Sequence, residues 1–491
     1  MNDTQSKKRE HILPKWVSPK NAILRGEIAS PRKVPFILNK TTIQSIEKEK
    51  ETFNASPSVE IAGYLLGASL LVNDRNLAID MASFLKNRTD SNKIIQDVTA
   101  RIVESDSHIL DSKTAFDISL LRNWLNDFPR NAFAWIEIGR LYTMQGQIEK
   151  AKRAVITALS LAPSNRYIVR CGIRFFLHTM EFDLAWHYIK KANNLIKDPW
   201  LKALELNVAM LANKKTPSFK SFVPKNMTFE NTFHYSELLE SYGNLEMQNG
   251  NSNKAKKQFR AAWVNPSEAV VAHAEWVTRN KLPGLRSESP VEYQKSLEAL
   301  SWVQYYALDF EAAMETVKKW QMEETYSSNP FAVGSSIACC ADRPEVAAEM
   351  TRFGLKINKG DWLLINNLCY SLLQAGKIDE AEEEFKTYKL ENDNNIFYLA
   401  TKGLLKFKQG HYDEGRKYYT ESIEQCQKMG EIELMIRATL NLAIVEIEAG
   451  LPDSMKTAYS ALQFSEGYNH PDITVKRQQL ENILKIGGNV S

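Results

Sequence analysis

Residues 132–165 read AFAWIEIGRLYTMQGQIEKAKRAVITALSLAPSN. Trp135, Ile138, Gly139 and Tyr142 recur at three- and four-residue intervals, the spacing that puts side chains on one face of an α-helix. Gly146 breaks the pattern and permits a tight turn. Ala151, Val155, Ala158 and Leu159 then mark the packing face of a second helix, and Pro163 ends it because proline cannot continue a helix interior. The stretch predicts a helical hairpin. Gly139 and Ala151 are small so that its two antiparallel helices can approach closely.

The hairpin recurs. Ala185 follows Ala151 after 34 residues, and Ala347, Ala381 and Gly415 keep the same interval. Each is followed by a larger residue: Val155, Ile189, Thr351, Phe385 and Tyr419. A fixed period of this kind signals an array in which each unit buries its apolar face only against its neighbours. Further units are marked by Tyr242, Gly243, Gly250, Ala255 and Phe259, and by Leu442, Ala443, Gly450 and Tyr459. Degenerate units are expected at 290–325, with Ala313, Val317 and Trp320, and at 328–361. The last interval exceeds 34 residues, so the helix through Gln425 and Lys428 is expected to run on by a turn. No segment shows sustained two-residue alternation, and the chain reads as all-α.

The 132–165 unit resembles the tetratricopeptide repeat. That pattern has Trp, Leu-Gly and Tyr on its first helix, then Ala, Phe and a closing Pro. Trp135, Ile138, Gly139, Tyr142, Ala151, Val155, Ala158 and Pro163 occupy the slots in order, with Ile for Leu and Val for Phe. The resemblance extends over roughly residues 60–465. It implies a right-handed superhelical solenoid of antiparallel helix hairpins whose first helices line a concave surface. It also implies a non-catalytic scaffold or adaptor that binds protein or peptide partners there, in one form as a regulatory subunit.

Composition agrees with a folded chain. Of 491 residues, 44% are hydrophobic and 25% charged, enough for a core and too apolar for global disorder. A net charge of +3 argues against a protein that grips nucleic acid along its whole length. Five scattered cysteines imply no disulfide framework and point to a reducing, cytoplasmic setting. The first residues lack the apolar core of a signal peptide, and no stretch is apolar for long enough to span a bilayer.

The charge is uneven. Residues 1–45 hold nine cations, among them Lys7, Lys8, Arg9, Arg32 and Lys33, against three carboxylates. Pro14, Pro19, Pro31 and Pro35 forbid a long helix there. This basic arm supplies the alternative reading, a helical-repeat protein that contacts nucleic acid through it. After the arm come repeats at 46–211, a Pro- and Lys-containing linker at 212–232, further repeats at 233–465, and a capping helix with a tail at 466–491. A turn-rich connector is expected at 281–290, and Asp472 is expected to cap the last helix.

No sequence pattern assembles a catalytic, cofactor or metal site. Cys339 and Cys340 are read as packing residues. Cys171, His178 and His187 fall short of a ligand set. The carboxylates of Asp379, Glu380, Glu382, Glu383 and Glu384 open a helix, where negative charge complements the helix dipole. The expected partner-binding residues sit just outside the packing stripe of the first helices: Arg140, Arg170 and Arg174, Asn244 beside Glu237 and Glu240, then Asn366, Tyr370 and Asn441. Arginines there suit carboxylate or phosphate, and asparagines suit a peptide backbone.

Overall fold

A computed structural model of the chain describes residues 9–19, 22, 40–72, 75–86, 88, 99, 110–192, 198–215, 229–285, 291–390 and 394–488. Every regular element among them is helical. The chain divides into two compact units, with the boundary between Val291 and Glu292. The 212–232 stretch lies inside the first unit, and its last residues belong to a helix.

The first unit contains α1 (Lys40–Ala55), α2 (Val59–Val72), α3 (Arg75–Lys86), α4 (Leu110–Asp127), α5 (Ala132–Met144), α6 (Ile148–Leu161), α7 (Arg166–His178), α8 (Phe182–Lys191), α9 (Pro199–Leu211), α10 (Phe229–Gln248), α11 (Ser252–Ala262) and α12 (Glu268–Asn280). The second contains α13 (Leu297–Tyr306), α14 (Phe310–Glu323), α15 (Asn329–Cys340), α16 (Pro344–Ile357), α17 (Trp362–Gln374), α18 (Ile378–Thr387), α19 (Ile396–Lys408), α20 (Tyr412–Met429), α21 (Ile432–Glu448), α22 (Ser454–Ser465) and α23 (Pro471–Gly488). The degenerate units at 290–325 and 328–361 are the hairpins α13–α14 and α15–α16, and α20 is the lengthened helix that the spacing predicts.

The 34-residue period is a packing period. Ala151, Ala185, Ala347 and Ala381 lose all solvent contact, and Gly415 is buried in the same register. Val155, Ile189, Thr351, Phe385 and Tyr419 are buried beside them. A Cβ on Gly139 would stand 3.0 Å from Val155 Cγ2 and 3.5 Å from the Ala151 carbonyl oxygen, so α5 and α6 meet where neither has a side chain to spare. Helix starts repeat as well. Asn131, Asn165, Asp361 and Asn395 each accept a backbone N–H of the following helix with their side chains.

The turn inside each hairpin has a signature that is only partly glycine. Five residues before each small residue the backbone is left-handed: Gly146, Gly250, Gly376 and Gly410, but also Met180, Leu308 and Asp342. Left-handed backbone disfavours residues with a Cβ, so the last three carry strain in exchange for the same turn.

Within the first unit, α9 and α10 run in the same direction. The Trp200 and Phe233 rings meet at 5.3 Å, and two turns on Asn207 Nδ2 donates to Ser241 Oγ at 2.9 Å. The consequence is one continuous face built from α7, α9, α10 and α12.

Candidate partner-binding faces

The face of the first unit is a polar ladder laid over an apolar floor. Arg170 on α7 donates two parallel bonds to Glu237 on α10, at 2.6 and 2.9 Å, and its guanidinium lies 4.4 Å over the Trp200 ring. Ser267, before α12, donates to the same carboxylate at 3.1 Å. One turn further along α10, Glu240 is fully buried. It accepts from Trp263 Nε1 at 2.9 Å and pairs with His273 Nδ1 at 2.7 Å. His273 Nε2 lies 3.0 Å from Asn244 Nδ2. Burial raises the Glu240 pKa, and the bonds from His273 and Trp263 pull against it.

Across this ladder lies the chain's own N-terminal segment. Residues 12–18 have no regular secondary structure. Trp16 is fully buried, edge-on to Phe175 of α7 at 5.9 Å, with Ile12 and Val17 buried to either side. Tyr167 donates its hydroxyl to the Val17 carbonyl at 2.8 Å, and Asn244 Nδ2 donates to the Glu10 carbonyl. Arg9 pairs with Glu275 at 3.0 Å and Lys15 approaches Glu268 at 3.9 Å, both on α12. His11 is held near pKa 4, lowered by burial and then by the neighbouring His273.

The second unit repeats the arrangement with a helix. Asp472, at the start of α23, accepts from Tyr305 of α13 at 2.5 Å, Cys340 of α15 at 3.0 Å and Arg437 of α21 at 2.8 Å. Burial would raise its carboxyl. Arg437, His470 and the bonds from Cys340 and Tyr305 outweigh that and hold it at about 2. Lys476, one turn on, lies 6.0 Å over the Tyr370 ring of α17. Ile473 and Leu480 are buried with Ile436, Leu440 and Ala443 of α21 and Ala458 and Ala461 of α22. The expected N-cap at Asp472 is corrected. Pro471 takes the first helical position, and the preceding His470 accepts the Asp472 N–H through Nδ1 at 3.3 Å.

Most of the residues expected to bind partners are engaged within the chain. Arg140 on α5 is partly buried and forms a two-bond pair with Glu137 at 2.9 and 2.7 Å. Arg170 and Arg174 are buried, Arg170 in its pair with Glu237. Asn244 grips the N-terminal segment, and Tyr370 stands under Lys476 of α23. Asn366 accepts from Thr401 of α19 at 2.9 Å, which ties α17 to its neighbour. Asn441 is half-buried on α21. Of the basic arm, Lys7, Lys8, Arg32 and Lys33 lie outside the described residues, and Arg9 pairs with Glu275. The sequence reading passed over Ile12, Trp16 and Val17. Their signal was present as apolar residues placed among the prolines and cations of the arm.

The remaining candidates resolve as packing or surface. All five cysteines are thiols. Burial pushes Cys340 well above its ordinary pKa and Cys339 up to about 11, as expected of packing residues. Glu380 pairs with Arg352 at 2.5 Å and Glu382 with Lys386 at 2.9 Å on the exposed side of α18. No helix among the described residues is long and apolar enough to cross a membrane.

Comparison with known proteins follows this geometry. Residues 134–165 match the family model of the tetratricopeptide repeat. The comparison with curated proteins gives no match. Two solved structures are similar over most of their length. The crystal structure of the APC/C hetero-tetramer Cut9–Hcn1 is 14% identical, covering 91% of this chain and 94% of that one at a TM-score of 0.36. The yeast Tom70 structure is 11% identical, covering 95% and 96% at a TM-score of 0.31. Similarities of this size have no bearing on this chain's partners.

Proposed function

We propose that this tetratricopeptide-repeat chain is a non-catalytic adaptor that holds protein partners on the faces made by the first helices of its hairpins. The supporting observation is the seat of residues 9–19. This stretch, irregular over residues 12–18, lies across α7, α10 and α12, bonded through its backbone carbonyls by Tyr167 and Asn244 and through its charges by Glu268 and Glu275. Side chains that bond a peptide backbone accept many sequences, and the acidic pair and the tryptophan seat select among them. Preformed hairpins lower the ordering cost of such binding. A cytoplasmic setting suits five thiols. The nucleic-acid reading has no observation of its own, since Arg9 and Lys15 face carboxylates.

Affinity purification of the full chain tests the adaptor reading. Three forms are compared: wild type, Glu268→Lys with Glu275→Lys, and Lys254→Glu with Lys257→Glu on exposed positions of α11. A stoichiometric protein partner recovered with the first and third and lost with the second supports it. Equal recovery with all three, or recovery of nucleic acid alone, overturns it.

A further inference from the structure

We propose that the face of the first unit is a receptor for one class of ligand: a segment with an irregular centre in which two cations flank an aliphatic residue followed by tryptophan. Residues 9–19 are its occupant in cis, and a partner segment of the same chemistry takes their place. The inference rests on the adaptor reading and adds to it the identity of the recognised pattern.

The seat reads that pattern element by element. Glu275 takes the first cation, Arg9 at 3.0 Å, and Glu268 the second, Lys15 at 3.9 Å. Both acids stand on α12, two turns apart, so two cations at that spacing in a segment meet both; Glu275 also accepts from Arg279 Nε of its own helix at 2.7 Å, and Arg9 adds a second guanidinium to it. Ile12, Trp16 and Val17 fill the apolar floor, with Trp16 edge-on to Phe175. Tyr167 and Asn244 bond the carbonyls of Val17 and Glu10, groups that every peptide carries. The selective part of the seat is the acidic pair and the tryptophan pocket; the carbonyl bonds are indifferent to sequence.

The occupant belongs to the same chain as its seat, so it competes as an intramolecular ligand. A tethered occupant competes at an effective concentration on the order of millimolar. A partner therefore gains the seat by carrying a stronger copy of the pattern, or when an anchor of the arm is weakened. The second consequence makes the inference testable without knowing the partner.

The probe is a fluorescent peptide of residues 7–22, KKREHILPKWVSPKNA, titrated by anisotropy into the full chain. It is expected to bind the Trp16→Ala chain at least ~10-fold more tightly than wild type, because the weakened arm no longer competes. A peptide with its own Trp16→Ala change should lose ~100-fold or more, in line with loss of a buried aromatic anchor. A peptide carrying Arg9→Glu should fail on Trp16→Ala and recover on Trp16→Ala with Glu275→Arg. If Trp16→Ala does not fold, Arg9→Glu in the full chain serves as the weakened arm. Absence of uptake by a weakened-arm chain that still melts cooperatively overturns the proposal, as does uptake indifferent to the peptide's tryptophan and arginine. A chain that ignores the peptide yet captures its partner in the purification above keeps the adaptor reading and loses this one.

Discussion

Arg170 and Glu237 face each other with two parallel hydrogen bonds, 67 residues apart in sequence and both shielded from water. Arg170→Ala leaves the Glu237 carboxylate buried with a hydroxyl bond from Ser267 and the more distant charge of Arg166, and should cost about 3–5 kcal/mol. Arg170→Met with Glu237→Leu removes both charges and keeps a flat chain on the Trp200 ring. It should fold with nearly wild-type stability, since a desolvated pair repays little more than its own burial cost. Urea unfolding of the three chains measures both. An Arg170→Ala loss under ~1 kcal/mol would mean the pair is solvated.

The hairpin turns offer a cleaner backbone experiment. Leu308 is left-handed at φ 62° and 40% exposed, so Leu308→Gly removes backbone strain and gives up only a partly covered side chain. A gain of about 0.5–1 kcal/mol is expected, the left-handed penalty less the added freedom of the unfolded glycine. Gly376 has φ 74° and nothing near where a Cβ would stand. Gly376→Ala should therefore lose about 1 kcal/mol through the backbone alone. Urea midpoints of the two variants should move in opposite directions.

These turns also explain what the sequence made legible. The period was visible at Ala151, Ala185, Ala347, Ala381 and Gly415 because a close helix crossing tolerates almost nothing larger. The turn itself was not legible where Met180, Leu308 and Asp342 replace the glycine, although the backbone there is the same. The faces were harder. An arginine outside a packing stripe has the same sequence signature whether its acid is on another molecule or, as for Arg170, on a helix of the same unit. The N-terminal arm was read by its charge, and charge carries no information about Trp16, the largest side chain it buries completely.

Docking of the arm should depend on pH through His11. The ring is held near pKa 4 in place, against an ordinary 6.5, by burial and by His273. Between those values the released arm binds a proton that the docked arm refuses, so docking weakens as pH falls from 6.5 towards 4 and is unaffected above. The full effect is on the order of 300-fold. An NMR titration of the His11 ring should give a midpoint near 4, and His11→Gln should flatten the loss of arm protection over that range. A slope that survives His11→Gln would overturn the assignment to His11; Glu240 would not account for it, because burial raises its carboxyl and its protonation favours the buried state as pH falls.

Asp472 should hold α23 in the second unit, and its loss should be local. Asp472→Asn keeps the shape but removes the charge that Arg437 faces, together with the strongest part of the bonds from Tyr305 and Cys340. Arg437 and Asp472 retain some solvent, about a quarter of each side chain, so the cost is set at about 1–3 kcal/mol and not at the full penalty of a sealed pair. Ile473 and Leu480 still bury against α21 and α22, so the variant should fold. Hydrogen exchange should show lost protection along α23 and unchanged protection in the α15–α16 and α17–α18 hairpins. The carboxyl is held at about 2 against an ordinary 3.8. The released helix therefore binds the proton first, and the attachment, complete above pH ~4, is lost as pH falls through 2. Asp472→Asn should abolish that acid-dependent step. A variant whose α23 exchanges as slowly as wild type would place the hold on α23 in its apolar stripe.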